Sequence, residues 1–247
     1  FAGDDEGALI LGNLNIGYEG NGILRYGAAD GAFIDTMIPE GTGGVTGCCC
    51  MAFGPDENLY VSSPFTGEIY RFNGVTGEYI DVFIPAGSGG LTFPIITKFG
   101  PDGNLYVGDI FVNNQIVRYD GRTGEFLDAF IPPHSGGLTG IDPQTFAWGP
   151  EGDLYVSSEA THRVLHFDGV TGAYLGDFVS ANTGGLVGPS GLTFGPDGNL
   201  YVGSTATDRI LRFDGSTGEY LGDFVTAGSG GLDLPVGLVF GPDRNLY

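Results

Sequence analysis

Phe194-Gly195-Pro196-Asp197-Gly198-Asn199-Leu200-Tyr201-Val202 is one copy of a phrase that recurs along this chain. It restarts at Phe53, Phe99, Trp148 and Phe240, in spacings of 46, 49, 46 and 46 residues. A reduced copy, Phe1-Ala2-Gly3-Asp4, opens the sequence. A fixed period in the forties marks a repeat architecture, in which no single unit can bury its own apolar faces and neighbours must cover them.

Working outward from that phrase, each copy divides into four short β segments. Leu192 to Phe194 precede the Pro196-Asp197-Gly198 turn, and Leu200 to Val202 follow it. Ile210 to Phe213 form the third segment. The turn Asp214-Gly215-Ser216-Thr217-Gly218 leads into the fourth, Tyr220 to Val225. A glycine-rich linker, Ala227 to Leu232, then reaches Pro235 and the next copy. The turn residues carry the reading. Pro presets φ, Asp accepts hydrogen bonds from the backbone just ahead of it, and Gly accepts positive φ. Asp-Gly between apolar runs is a hairpin signal.

Four strands joined by tight turns predict an antiparallel meander of propeller-blade size. The expected fold class is all-β: a β-propeller of four-stranded blades with five complete repeats and the start of a sixth. The expected organisation is a single domain over residues 1–247, with repeats at about 1–52, 53–98, 99–147, 148–193 and 194–239 and a partial one at 240–247. The two ends together favour six blades over five in the full protein. Phe1 lies inside a repeat and Tyr247 stops where other copies continue with Val, so the chain is expected to be a portion of something longer. A spare terminal strand could instead join a neighbouring molecule, giving self-assembly through incomplete terminal blades.

Composition narrows the function. The chain has 47 glycines and 14 prolines among 41% hydrophobic residues, which fits turns between many strands. Nine basic residues against 30 acidic ones give a net charge of −21, and Lys98 is the single lysine. Such a surface repels phosphate backbones and anionic headgroups, so nucleic acid is excluded as a partner. No apolar run of spanning length occurs, so membrane insertion is not expected. The three cysteines, Cys48-Cys49-Cys50, are consecutive. Neighbouring cysteines bridge each other only with strain, so small buried hydrophobes are the expected role, on a strand that alternates Cys48 and Cys50 against Cys49.

The full phrase, Phe-Gly-Pro-Asp-Gly-Asn-Leu-Tyr-Val followed by Ile-x-Arg-Phe-Asp-Gly-x-Thr-Gly, resembles the NHL-like β-propeller repeats, above all those of secreted bacterial proteins. The resemblance covers essentially the whole chain. It implies a secreted, extracellular or cell-surface location and leaves activity open, since such propellers host unrelated functions. Streptogramin-lyase-like and gluconolactonase-like propellers are more distantly similar. The histidine-centred metal site of the first and the Glu, Asn and Asp ligands of the second do not map here residue by residue. The first strands offer almost no carboxylate or imidazole, and Asp142 is the nearest.

Polar residues that recur in every copy read as structure. Arg25, Arg71, Arg118 and Arg212, with His166 in the same slot, are expected to pair with local carboxylates. Asp56, Asp102, Glu151, Asp197 and Asp243 read as turn formers. No cofactor is assigned, with calcium or another divalent cation as the alternative that acidic loops would take. The recurrent aromatics at Phe53 and Tyr60 and their equivalents read as blade-to-blade packing. Sites lie where repeats differ. The departures are Cys48 to Cys50, the insertion from Phe111 to Gln115, Pro132-Pro133-His134, and Asp142. The candidate binding region is therefore Cys48, Cys49, Cys50, Asn113, Asn114, His134 and Asp142, with no catalytic, cofactor-binding or metal-ligating residue assigned. The expected function is a non-catalytic extracellular binding or scaffold module for a protein or carbohydrate ligand. The alternatives are a metal-dependent lyase or lactonase and a structural subunit of an extracellular assembly.

Overall fold

The computed structural model describes residues 2–3, 8–12, 22–27, 30–48, 50–140, 142–241 and 243–247. Among the described residues the regular structure consists of five four-stranded antiparallel sheets and six single-turn 3-10 helices. The first holds β1 (Ala2–Gly3), β2 (Ala8–Gly12), β3 (Ile23–Gly27) and β4 (Phe33–Ile38). The second holds β5 (Met51–Phe53), β6 (Leu59–Ser63), β7 (Glu68–Phe72) and β8 (Tyr79–Ile84). The third holds β9 (Pro94–Phe99), β10 (Leu105–Asp109), β11 (Gln115–Tyr119) and β12 (Phe126–Ile131). The fourth holds β13 (Thr145–Trp148), β14 (Leu154–Ser158), β15 (Arg163–Phe167) and β16 (Tyr174–Val179). The fifth holds β17 (Pro189–Phe194), β18 (Leu200–Ser204), β19 (Arg209–Phe213) and β20 (Tyr220–Val225). In each sheet the strands lie side by side in chain order, as a meander requires. The start of the sixth copy forms a two-stranded hairpin, in which Val239 and Tyr247 exchange backbone hydrogen bonds of 3.0 and 2.9 Å.

The chain divides into two compact units, residues 1–112 with 116–129, and residues 113–115 with 130–247. Within each, one packing rule recurs. Second strands such as Leu59-Tyr60-Val61 are buried on both faces, because a neighbouring sheet covers each side. In the first unit the Tyr60 ring meets Phe83 and Phe99 edge-on at 4.8 and 4.9 Å. In the second, Tyr155 meets Phe178 and Phe194, and Tyr201 meets Phe224 and Phe240, in the same way. The recurrent aromatics are thus the glue between sheets, each pair adding about 0.5–1.5 kcal/mol beyond its buried area.

The triple cysteine corrects the sequence reading. Strand β5 begins only at Met51, so Cys48 and Cys50 precede it and the expected strand alternation does not apply. Half of the ladder bond survives there, the Ser62 N–H donating to the Cys50 carbonyl at 2.9 Å, while the Ser62 hydroxyl accepts from the Cys50 N–H at 3.1 Å. Cys48 is buried with Ile23, Ile38 and Tyr70 as a small hydrophobe. Cys49 lies outside the described residues.

The Asp turns hold as read. Asp56, Asp102, Asp197 and Asp243 each accept from an Asn two residues on and a Tyr hydroxyl four on. At the other turn, Asp120, Asp168 and Asp214 gather backbone N–H and hydroxyl donors from the following residues. Those donors favour the ionised form. The hydroxyl and N–H of Ser216 and then the N–H of Thr217 hold Asp214 at about 2, below its ordinary value. A carboxylate depressed in the folded state contributes stability that is complete above its unfolded pKa and disappears as pH falls through the folded one. The Asp214 turn is therefore expected to lose its contribution between about pH 4 and pH 2. Thermal melts over that range should show a shallower fall for Asp214→Asn than for the parent chain. Parallel curves would rule the turn out as a source.

Candidate functional site

The linkers between sheets are held by a polar group at the end of each second strand. Ser63 donates to the Thr46 carbonyl at 2.6 Å, and Ser204 donates to the Val187 carbonyl at 2.9 Å. In the third sheet the slot is taken by the fully buried Asp109. One carboxylate oxygen accepts from the Thr92 N–H at 3.1 Å, the Thr92 hydroxyl at 2.9 Å and the Phe93 N–H at 2.6 Å. In the fourth, Ser158 instead donates to Asp142 at 2.6 Å.

Asp109 fixes the segment on which an aromatic cluster is built. Phe93 packs edge-on against Phe65 at 6.0 Å and against Phe111 at 5.0 Å. Phe65 and Phe111 are 56% and 54% exposed, and Val112 beside them is 64% exposed. Phe93 occupies the linker position of Gly47, Gly140, Gly188 and, in the fifth copy, Leu234. Phe65 and Phe111 stand two residues past their second strands, where the fourth and fifth copies have Ala160 and Ala206. Three aromatic rings thus converge at positions where no other copy has one.

The backbone at Phe111 is unusual. Its φ is +66°, and the Val112 N–H donates to the Ile110 carbonyl at 2.8 Å, closing a γ-turn around it. A γ-turn of positive φ is rare and strained for a bulky residue, at about 1–3 kcal/mol. Here that strain displays a half-exposed ring.

Three of the candidate residues also converge, but as a latch. Asn114 is buried and donates from Nδ2 to the Gly140 carbonyl at 2.9 Å and the Asp142 carbonyl at 2.8 Å. Its own carbonyl accepts from the His134 N–H at 3.3 Å. Asp142 is fully buried and accepts from Ser158, from the Thr139 N–H and, at 3.4 Å, from the Ala160 N–H. His134 sits at φ +62°, the linker position held by Gly41, Gly87, Asn182 and Gly228, and faces the Leu138 carbonyl at 3.2 Å. Asn113 is half-buried beside them. The sequence offers these residues as part of a binding region; in the structure they pin loops.

Cys50 is a half-buried free thiol next to β9. Burial pushes it up, while burial pulls Lys98, on that strand, down to about 8. Among the described residues no three His, Cys, Asp or Glu side chains converge as a metal-binding group.

The recurrent arginines split into two patterns. Arg25, Arg71 and Arg118 pair with Asp35, Asp81 and Asp128 directly across the third and fourth strands. In the fourth and fifth copies a glycine, Gly176 or Gly222, occupies that slot and the Asp moves one residue on. A one-residue step in a strand turns a side chain to the other face. Asp177 and Asp223 accordingly pair with Arg163 and Arg209. The Arg212 expectation is corrected by that step: Asp223 is taken, and Arg212 lies against Tyr201 instead. His166, in the fourth copy, pairs with Asp153 at 2.8 Å and stacks on Tyr155.

No protein-family model matches the sequence, and no curated protein does. Solved structures do. The chain is similar to virginiamycin B lyase from Staphylococcus aureus at 18% identity and a TM-score of 0.69, over 99% of this chain and 74% of that one. An auxiliary nutrient binding protein from Bacteroides ovatus is similar at 14% identity and 0.68, over 97% and 62%. A chain of the nidogen/laminin complex is similar at 16% and 0.65, over 91% and 78%. The chain is a β-propeller. Each sheet is then a blade, and the phenylalanine cluster occupies the loops of the second and third blades of this propeller. Identities this low carry the fold and leave the site to be argued from its own residues.

Proposed function

We propose that this propeller is a non-catalytic, extracellular binding module. The observation that carries the reading is the cluster of Phe65, Phe93 and Phe111. Exposed aromatic side chains gathered on loops, one of them on strained backbone, are characteristic of binding surfaces rather than of packing. Similarity to a nutrient binding protein and to a chain of the nidogen/laminin complex supports a binding role and a secreted location. Recurrent polar groups support the same reading by being spent on structure: five of the nine basic side chains lie in ion pairs with neighbouring carboxylates.

Similarity to a lyase sets the decisive test. The purified chain, supplied with magnesium, manganese, calcium or zinc, is expected to leave lactones and streptogramin-type cyclic depsipeptides intact over hours. Metal-dependent ring opening by the chain would overturn the reading.

A further inference from the structure

The phenylalanine cluster has a chemistry that selects its partner. The Phe93 ring stands at 88° to Phe65 and 74° to Phe111, so the three offer no common flat platform on which a sugar ring could lie. Phenylalanine also brings no polar tip, unlike Tyr or Trp. Polar groups at the base of the cluster are engaged with each other: the Thr92 hydroxyl and the Phe93 N–H both donate to Asp109. The surface is therefore an apolar anchor point of interrupted, knobbed shape, suited to receiving an apolar side chain between rings. Around it lies a chain of net charge −21, in which most basic groups are already paired with carboxylates. Such a field repels anions and draws cations toward the surface.

From these observations we infer that Phe65, Phe93, Phe111 and Val112 form the docking site for a segment of a partner protein that carries an apolar anchor flanked by lysine or arginine. The inference rests on the reading of the chain as a binding module and names the partner of that site. Apolar contact supplies the anchor and the acidic surface supplies the approach. The strain at Phe111 is the structural sign of that task. A residue selected only for the fold would be glycine here, since glycine takes φ +66° without cost.

Three labelled synthetic peptides test this on the whole chain. They share a Leu-Leu-Phe core and differ in flanks of lysine, glutamine or glutamate. The lysine-flanked peptide is expected to bind, more weakly as salt rises, and the glutamate-flanked peptide is not. Phe111→Gly should weaken binding at least tenfold without lowering the melting temperature, because it removes the ring and relieves the backbone together. Phe65→Ala should weaken it comparably. Phe126→Ala, at an exposed ring of the fourth-strand series, should leave binding unchanged. The inference fails if no peptide binds, if charge of the flanks makes no difference, or if Phe111→Gly lowers the melting temperature and leaves binding intact. It also fails if a glycan array gives binding that Phe111→Gly abolishes. Any of these leaves the binding-module reading standing unless the ring-opening assay is positive, so the two failures are distinguishable.

Discussion

Gly121→Ala should unfold this protein far more readily than Gly103→Ala, although both replace a turn glycine in the same blade. Gly103 has φ +78° and open space around the position a Cβ would take. Its substitution meets only the backbone penalty, about 1–2 kcal/mol. Gly121 has no such conformation to lose. A Cβ there would lie 1.9 Å from the Gly103 carbonyl oxygen and 3.1 Å from the Phe99 ring. Backbone cannot yield as a side-chain tip can, so the two turns must separate, at about 3 kcal/mol or more. The same close approach occurs at Gly74, Gly169 and Gly215, at 1.9, 1.7 and 1.7 Å from the facing carbonyl oxygens. This explains why the Asp-Gly-x-Thr-Gly turn keeps its first glycine in the second to fifth copies, Asn73 standing for Asp in the second: two turns of one sheet touch backbone to backbone. Urea unfolding of the two variants decides the matter. Midpoints within error of each other would mean that the turns do not touch in solution.

What the sequence made legible is local and repeated. Turn chemistry placed the four strands of the clearest copy, Leu192 to Val225, because these depend on residues a few positions apart. Five repetitions of the phrase averaged out the ambiguities of any one. The Cys48–Cys50 segment was misplaced because the Ser62 hydroxyl takes over one of the two ladder bonds to Cys50, a substitution that periodicity does not register. The fate of Arg212 was visible in principle. Leu175-Gly176-Asp177 and Leu221-Gly222-Asp223 stand against Ile80-Asp81-Val82, and the exchange of Asp-Val for Gly-Asp is enough to move a carboxylate to the opposite face.

The candidate site was legible by half. Comparing repeats flagged the Phe111 insertion, since it changes length. Phe65 and Phe93 change only the size of a side chain within loops of unchanged length, so comparison of repeat lengths does not pick them out. Their signal is positional: bulky rings where equivalent loops have Ala160, Ala206, Gly140 and Gly188. That comparison becomes decisive only when the folded chain shows that the three loops meet. The converse error concerned polarity. Asn114, His134 and Asp142 looked like ligand-binding groups because they break the repeat, yet the polar atoms of Asn114 and Asp142 are turned inward, onto segments up to 28 residues away, and the exposed His134 faces the nearby Leu138 carbonyl. A buried polar group is a liability unless satisfied, and these satisfy each other.

That inward turn gives the last expectation, which separates a latch from a binding site. Asp142→Ala is expected to destabilise the fold by about 2–4 kcal/mol, since it strips a fully buried acceptor from the Ser158 hydroxyl and the Thr139 N–H. Asp142→Asn keeps a carbonyl oxygen in place and should cost less than half as much. It also removes a charge that acts on a neighbour. Glu159 is pushed up first by burial and then by the carboxylate of Asp142, with His162 opposing. Losing the Asp142 charge should bring the Glu159 titration down toward the ordinary carboxylate range, measurable by NMR of the side-chain carboxyl carbon. Neither change should alter peptide binding at Phe111, because that surface is organised by Asp109 and its own γ-turn. If Asp142→Asn left both stability and the Glu159 titration untouched, Asp142 would not be buried against these partners. The three residues would then have to be reconsidered as groups open to a ligand.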